Sequence, residues 1–431
     1  MSDNFLHMTE RIARAAALHP WRTIIAWLAA IVLAFAAIVA FLGDGLSTEE
    51  ALTNNPESEQ AADVIGAHFP PREFTTELVI IRHDGLRRGD PAFDRRLDEL
   101  AQTALTSPFI DFVGEPQVAP DGHAVLVPIR LARDPEESVE RVIEIVRAED
   151  GRGGFQVAMT GEFTTDHDFN ELSQRDLEEG ELRFGLPAAL VVLVLVFGAL
   201  VASVVPLVLA MVSIAVGLGL VAVVTTGFEL SVFVVNMLTG MGLALGIDYA
   251  LFVVSRFREE RAAGKEKIDA IAASGATASR AVLFSGSAFV LAMLGLLLVQ
   301  STIMRSLAAG AILVGIVSVV AALTLLPALL GLLGDRVNRL HVPIFGREQG
   351  ESRLWAAVVR RVLARPVLSL SLAVALLLGA AAPALTMEIG AAGIGTLPDN
   401  LVSKQGFNAL ERSFPAAGAD PAEIAIDAPL S

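Results

Sequence analysis

The stretch PLVLAMVSIAVGLGLVAVVTT at Pro206–Thr226 contains no charged side chain. A helix needs about 20 consecutive apolar residues to cross the hydrocarbon core of a bilayer. Six further stretches have the same character: Trp21–Leu42, Phe184–Val204, Ser231–Val254, Ala281–Val299, Ser306–Leu333 and Val367–Leu385. The sequence therefore predicts a polytopic α-helical membrane protein with seven spans. We place the break between spans 2 and 3 at Ser203–Pro206, because proline cannot donate a backbone hydrogen bond.

The composition of the 431 residues agrees with this class of protein. Hydrophobic residues make up 53% of the chain, the mean hydropathy is +0.58 and only 19% of residues are charged, against about 25% in soluble domains. The chain has no cysteine, which excludes disulfides, zinc fingers, iron–sulfur clusters and thiol catalysis. The net charge of −16 argues against nucleic acid as a partner.

Basic residues in the short segments predict the orientation of the spans. They are concentrated in the segments Arg11–Arg22, Arg256–Arg280 and Arg336–Arg365. Seven alternating spans place all three segments on one side, and the excess of Lys and Arg marks that side as cytoplasmic. The N-terminus is thus expected inside. We interpret span 1 as an uncleaved anchor, with a cleaved signal peptide as the alternative.

The long polar segment Asp44–Arg183 is then extracytoplasmic, with 31 acidic residues against 13 basic ones. Hydrophobic patterning predicts six elements in it in the order β-α-β-β-α-β. They are Glu77–His83, Asp90–Leu105, Phe109–Val113, His123–Leu131, Pro135–Ala148 and Phe155–Met159. This order is typical of a ferredoxin-like α+β domain.

Residues that follow the first span recur after the seventh at an offset of 345 positions. The matched pairs are Leu52 with Leu397, Asn55 with Asn400, Ser58 with Ser403, Gln60 with Gln405, Phe69 with Phe414 and Pro70 with Pro415. Parallel internal repeats of this kind recur in transporters. The second copy stops at Ser431 before its domain is complete, so we expect the missing second half in cis or from a partner chain.

The predicted organisation has six parts. They are a cytoplasmic N-terminal helix and span 1 (1–43), the porter-like α+β domain (44–183), spans 2–6 (184–334), a cytoplasmic linker (335–366), span 7 (367–386) and the start of a second extracytoplasmic domain (387–431). Within the linker, Glu351–Arg365 has one apolar face and predicts a helix lying in the membrane interface. A simple linker is the alternative.

Span 4 carries the residues with the clearest chemical potential. Asp248 is the only ionisable side chain well inside any predicted span. A carboxylate at that depth is costly, by about 3 kcal/mol on insertion scales, and marks a functional candidate. Asn236, Gly240 and Ala244 precede Asp248 at intervals of four and share its helix face.

Neighbouring residues add to this candidate site. Gly242 and Gly246 are spaced for close helix contact, and Tyr249 is the only tyrosine in the chain. Ser285 and Ser287 in span 5 are candidate hydrogen-bond partners for span 4. Proton coupling through Asp248 is the functional interpretation. The structural alternative is a protonated Asp248 that only hydrogen-bonds a neighbouring helix.

The string GLALGIDYALFVVSRFREE at Gly242–Glu260, the large loop after span 1 and the repeat together resemble the MmpL-type branch of the resistance–nodulation–division (RND) superfamily. The resemblance implies an RND-like fold, truncated in the second repeat, in the bacterial cytoplasmic (inner) membrane. It implies Asp248 and Tyr249 as the proton relay, and export of lipid or other hydrophobic molecules driven by the proton gradient. No cofactor is then expected. The partners would be the substrate and membrane lipids, with a homo-oligomer also open.

Other chemistries have weaker signals. No phosphate-binding loop surrounds Gly264-Lys265 and no H-E-x-x-H zinc motif occurs. The run Asp166-His167-Asp168 could bind a metal, but a solvated charge run is the simpler interpretation, and we expect no metal site. An intramembrane aspartyl protease would need a second aspartate within the spans, so we expect no enzyme. A half-transporter fragment, or an accessory scaffold or sensor on the same fold, is the alternative to an exporter.

Overall fold

The computed structural model describes residues 2–42, 45–47, 52–54, 56–68, 77–132, 135–340, 353–387, 394 and 397–415. Of the predicted features, the repeat residues Asn55, Phe69 and Pro70 and the first two residues of the interfacial helix lie outside this part of the chain. So does most of the predicted second extracytoplasmic domain.

The described residues form sixteen α-helices and seven short strands. The helices are α1 (Ser2–Leu18), α2 (Pro20–Ala37), α3 (Glu57–His68), α4 (Pro91–Thr106), α5 (Pro135–Glu149), α6 (Glu162–Arg175), α7 (Leu186–Phe197), α8 (Leu200–Val224), α9 (Phe233–Ala262), α10 (Lys267–Ala276), α11 (Ala278–Leu296), α12 (Thr302–Leu323), α13 (Leu325–Leu333), α14 (Arg353–Ala364), α15 (Pro366–Ala381) and α16 (Val402–Ser413). The strands are β1 (Leu46–Ser47), β2 (Glu77–Arg82), β3 (Ile110–Val113), β4 (Gln117–Val118), β5 (Ala124–Leu131), β6 (Gln156–Gly161) and β7 (Leu230–Ser231).

By length and composition, seven helical segments of the described chain can cross a membrane. They are Pro20–Leu42, Glu162–Phe197, Leu200–Val224, Phe233–Ala262, Lys267–Leu296, Thr302–Asn338 and Pro366–Thr386. The predicted number of spans is confirmed. Several spans include neighbouring helices, such as α12 and α13 in span 6 and the π-helical segment Asp176–Gly185 that joins α6 to α7.

The predicted break between spans 2 and 3 is wrong. Helix α7 ends at Gly198, which adopts a left-handed conformation with φ 65° and donates its N–H to the Val194 carbonyl. Glycine is the usual residue at this position because it has no Cβ to clash. Pro206 lies inside α8, where it only removes one backbone donor, and membrane helices tolerate such a loss.

Helix α9, which forms span 4, lies at the centre of the helix bundle. It packs against α8 and α12, and its buried side chains Val253 and Phe257 join the largest apolar core. Helix α1 covers one end of the bundle by packing on α10 and α13. There Gly275 and Gly331 leave room for Ala13 and Ala17.

Residues 77–161 form an α/β unit outside the bundle. Its antiparallel strands are ordered β3-β5-β2-β6, and β4 pairs beside β5. Along the chain the four main strands and helices α4 and α5 follow the predicted order, with bounds within two residues of the predicted ones. Ile81, Val127 and Val157 point to the face covered by α4 and α5.

The opposite face of this sheet is covered by α16, a helix that follows span 7. Leu410 and Phe414 pack there on Ile80 and Leu126. A Cβ on Gly406 would lie 2.1 Å from the Met159 carbonyl oxygen, so only glycine allows this approach. Helices α3 and α16 begin and end 345 positions apart, the offset of the sequence repeat.

Asp168 of α6 fastens α16 to the α/β unit. Its side chain is fully buried, and its Oδ2 accepts a hydrogen bond from the Ser403 N–H at 2.7 Å. Ser403 is in the first turn of α16, where backbone N–H groups have no partner within the helix. Asp168 therefore acts as a cap supplied by another helix.

We expect Asp168→Ala to loosen α16. Loss of a capping acceptor destabilises a helix by about 1–2 kcal/mol, which corresponds to about tenfold faster local opening. Hydrogen–deuterium exchange followed by mass spectrometry would show faster exchange over residues 402–413. Glu162→Ala, an exposed change on the same helix α6, is the matched control. Unchanged exchange in α16 would contradict the capping role.

Glu77 ties the sheet to the helix that leads into span 2. This carboxyl group is fully buried at the start of β2. Its Oε1 accepts a hydrogen bond from the Phe163 N–H at 2.8 Å, and its other oxygen accepts one from the Thr164 hydroxyl. Burial raises the pKa of Glu77 from 4.5 to about 7, although these hydrogen bonds oppose the rise.

The raised pKa predicts a pH-dependent stability. Between pH 4.5 and 7 the folded chain keeps a proton on Glu77 that the unfolded chain releases, so stability falls as pH rises. The loss is about 3 kcal/mol across this window. Thermal unfolding of the purified chain at pH 4.5–8 should show a smaller decline for Glu77→Gln than for the wild type. Glu115→Gln, an exposed change elsewhere in the α/β unit, should keep the wild-type slope, and equal slopes for all three proteins would refute the assignment.

Candidate functional site in span 4

The predicted row of Asn236, Gly240, Ala244 and Asp248 lies along one side of α9. These residues are spaced by four, so they extend about 18 Å along the helix at 1.5 Å per residue. The row has two halves with different surroundings. Asn236 and Gly240 are partly covered by the chain, whereas Ala244 and Asp248 are exposed on the surface of the bundle.

The first half of the row contacts the helical segment that leads into span 2. The Ser173 hydroxyl donates a hydrogen bond to Asn236 Oδ1 at 3.1 Å. Three residues earlier on α9, the ring of Phe233 meets the Phe169 ring edge-on, with centroids 6.1 Å apart. The two helices are thus linked by one polar and one aromatic contact.

Glu181 belongs to this contact and is absent from the sequence-based prediction. Its carboxyl group lies within hydrogen-bonding reach of the Thr239 hydroxyl, and its Oε1 is 3.1 Å from where a Cβ on Gly240 would be. Glu181 follows Ser173 by eight residues, which places both on the same helix side. This spacing is the signal that could have found it, but the run of acidic residues around it resembles a solvated surface.

The second half of the row lies on the outside of the described helix bundle. Within the part of the chain that the structure describes, neither Asp248 nor Ala244 is covered by a neighbouring helix. The reason is geometric. Gly242 and Gly246 pack on spans 3 and 6, and a residue two positions away points about 200° around the helix.

The two glycines bring the helices into close contact. A Cβ on Gly246 would lie 2.5 Å from the Cα of Ala210 in span 3. On Gly242 it would lie 2.5 Å from Cγ1 of Ile214 and 2.9 Å from Cγ2 of Val314 in span 6. Small residues at such interfaces permit van der Waals packing between membrane helices.

Tyr249 points into the bundle, unlike its neighbour Asp248. It is buried in the core formed with spans 3 and 6. Its hydroxyl lies beside Ser285 and 3.2 Å from where a Cβ on Gly286 would be, but it makes no well-formed hydrogen bond. The structure thus brings Ser285 to Tyr249, and both Ser285 and Ser287 are exposed.

The described residues contain no group of three His, Asp or Glu side chains arranged to hold a metal ion. Asp168, from the run Asp166-His167-Asp168, instead caps α16.

A substitution in the glycine pair tests the packing of α9. Gly246→Ala would press a methyl group against the Ala210 backbone, and overpacking of this kind destabilises by about 1–3 kcal/mol. We expect a lower melting temperature for the purified protein in detergent. Gly295→Ala in span 5 places its methyl group in open space and should have no such effect. Equal stability of the two variants would contradict the close contact.

Seven apolar helical segments, one of them a glycine-rich span packed closely on two others, are the features of a multi-pass α-helical membrane protein. Residues 50–369 match the model of the MMPL family. The chain therefore belongs to the MMPL family.

Three relatives illustrate the similarity. A membrane protein of Streptomyces coelicolor is 31% identical over 430 residues, covering 97% of this chain and 60% of that protein. The mycolic acid-containing lipids exporter MmpL11 of Mycolicibacterium smegmatis is 38% identical over 226 residues, or 51% of this chain and 23% of the exporter. The trehalose monomycolate exporter MmpL3 of Mycobacterium tuberculosis is 30% identical over 296 residues, which cover 62% of this chain and 30% of that exporter. The chain thus spans at most 60% of the length of these three relatives.

Proposed function

We propose that this chain is part of an exporter that moves lipid or another hydrophobic molecule across the bacterial cytoplasmic membrane, driven by the proton gradient. The observation that carries the proposal is Asp248, an acid on the uncovered side of the central span. Two relatives are named as lipid exporters, which supports a hydrophobic substrate. No catalytic step is part of this function.

Proton binding at Asp248 is the proposed coupling event. A charged carboxylate inside a bilayer is costly, and its protonated form is tolerated better. The two protonation states therefore favour different surroundings for this side of α9. Tyr249, which points into the bundle beside Ser285, would relay the change or the proton to the helices packed behind it.

The contacts of α9 suggest how such a change reaches the α/β unit. Asn236 and Phe233 contact the helical segment that begins with α6. At its other end, α6 holds Glu77 of the sheet and caps α16 through Asp168. A shift of α9 along its axis would thereby move a segment that is joined to the sheet.

The remaining features of the proposal concern the setting of the chain. We propose a ferredoxin-like α/β unit on the extracytoplasmic side, the N-terminus inside the cell, and α14 in the membrane interface. A second half, in cis or from a partner chain, would cover the side of α9 that carries Asp248. Membrane lipids surround the spans, and copies of the protein can associate into a homo-oligomer.

Replacement of Asp248 tests the proposed function. In cells that produce the native gene product, Asp248→Asn should abolish export of newly made, isotope-labelled envelope lipid, because an amide cannot take up and release the proton. Loss by at least about tenfold is expected, as for removal of an essential acid–base group. Glu229→Gln, which removes an exposed carboxylate at the start of the same span, is the control and should export normally.

The competing role is an accessory scaffold or sensor on the same fold. It predicts that Asp248→Asn, present at normal levels in the membrane, leaves export unchanged. Wild-type export by this variant would remove Asp248 from the coupling step.

A further inference from the structure

A cavity lies inside the α/β unit, between the sheet and helices α4 and α5. Helix α4 packs along β3 at one edge of the sheet, and α5 packs chiefly along β6 at the other. The central strands β2 and β5 form the floor of the cavity between the two helices. Val79, Ile81, Val127 and Ile129 line this floor.

The walls of the cavity are mainly apolar. Leu97, Leu100 and Ala101 line it from α4, and Val142, Ile145 and Val146 line it from α5. The cavity has a volume of about 170 Å³. Its lining extends from Leu97 to Ala104 on α4, which is about 10 Å of helix. An extended alkyl chain can lie along a lining of this length.

A few polar groups also border the cavity. Arg96 of α4 forms a salt bridge of 2.7 Å with Glu149 at the end of α5, and both side chains are largely buried. This pair holds the two helices together at one end. Exposed lining residues, among them Arg88, Asp98 and Thr103, form a polar mouth.

An apolar cavity of this size favours an apolar occupant over water. An engineered protein cavity of about 150 Å³ with aliphatic and aromatic walls stays dry and binds benzene. We propose that the cavity between α4, α5 and the sheet binds the alkyl chain of a lipid, with the polar end of the lipid at the mouth. This inference rests on the proposed function in one respect only, namely the identity of the lipid that the protein carries in the cell.

Photocrosslinking of the full chain in phospholipid nanodiscs tests this site. The first probe is palmitate with a diazirine near the end of its chain, and the second is phosphatidylglycerol with the same photoreactive chain. We expect crosslinks in the peptides that contain residues 97–104 and 142–149. Labelling by the palmitate probe would show that a free fatty acid is enough to occupy the cavity. Labelling by the phosphatidylglycerol probe alone would identify a membrane phospholipid as the source of the bound alkyl chain.

Two variants provide the matched comparison. Ala101→Phe places a ring about the size of benzene in the cavity and should reduce labelling of residues 142–149 about tenfold, since several methylene groups lose their buried site. Ala92→Phe lies on an exposed side of the same helix and should label like the wild type. Competition in the unmodified chain gives an answer that does not depend on the folding of a variant. Decanoate should suppress the labelling and acetate should not.

Crosslinks confined to the membrane spans, or labelling of the α/β unit that decanoate does not reduce, would overturn the proposal. The outcome is separable from the test of Asp248. Asp248→Asn should keep the crosslinks even where export is lost, because the cavity and the span-4 site share no residue. If export depends on Asp248 but the cavity is not labelled, the proposed lipid site is refuted and the proposed proton coupling stands.

Discussion

The close contact of α9 with α8 and α12 determines how the rest of the bundle is arranged. In a bilayer each helix satisfies its own backbone hydrogen bonds, and surrounding lipid is as apolar as the side chains. Which helix faces meet therefore depends on where backbones can approach. Gly242 and Gly246 provide that place on α9. Since they fix one side of the helix against its neighbours, they also leave Ala244 and Asp248 on the opposite side.

A second helical segment connects the bundle with the α/β unit. The segment Glu162–Phe197 is helical throughout, so it joins the sheet to span 2 without a flexible loop. Ser173 and Phe169 of this segment contact Asn236 and Phe233 of α9. Its first turn is held to the sheet through Glu77, and Asp168 holds it to α16. Buried, hydrogen-bonded acids at both points make this junction sensitive to any shift of the helix, because a displaced carboxylate would lose its partners without gaining water.

Features that depend on local patterning were predictable from the sequence. The seven spans follow from hydrophobic length, and the order of strands and helices in the α/β unit follows from periodicity. The break after span 2 was misplaced because a left-handed glycine, Gly198, ended the helix where proline was expected to. Neither the exposure of Asp248 nor the contact of Glu181 with Gly240 could be derived, since both depend on how one helix is rotated against another. The placement of α16 depends on contacts between residues more than 200 positions apart.

The position of α16 also bears on how the repeat is used. The sheet of the α/β unit belongs to the first copy, but Ile80, Ala124 and Leu126 on one of its faces are buried by Leu410 and Phe414 of the second copy. Without α16 this face would expose a contiguous apolar surface, which folded proteins rarely leave uncovered. The two copies therefore complete each other rather than forming two independent halves. A movement within either copy has to be accommodated by the other, since the helix that closes the first sheet follows span 7 in the chain and is capped by Asp168.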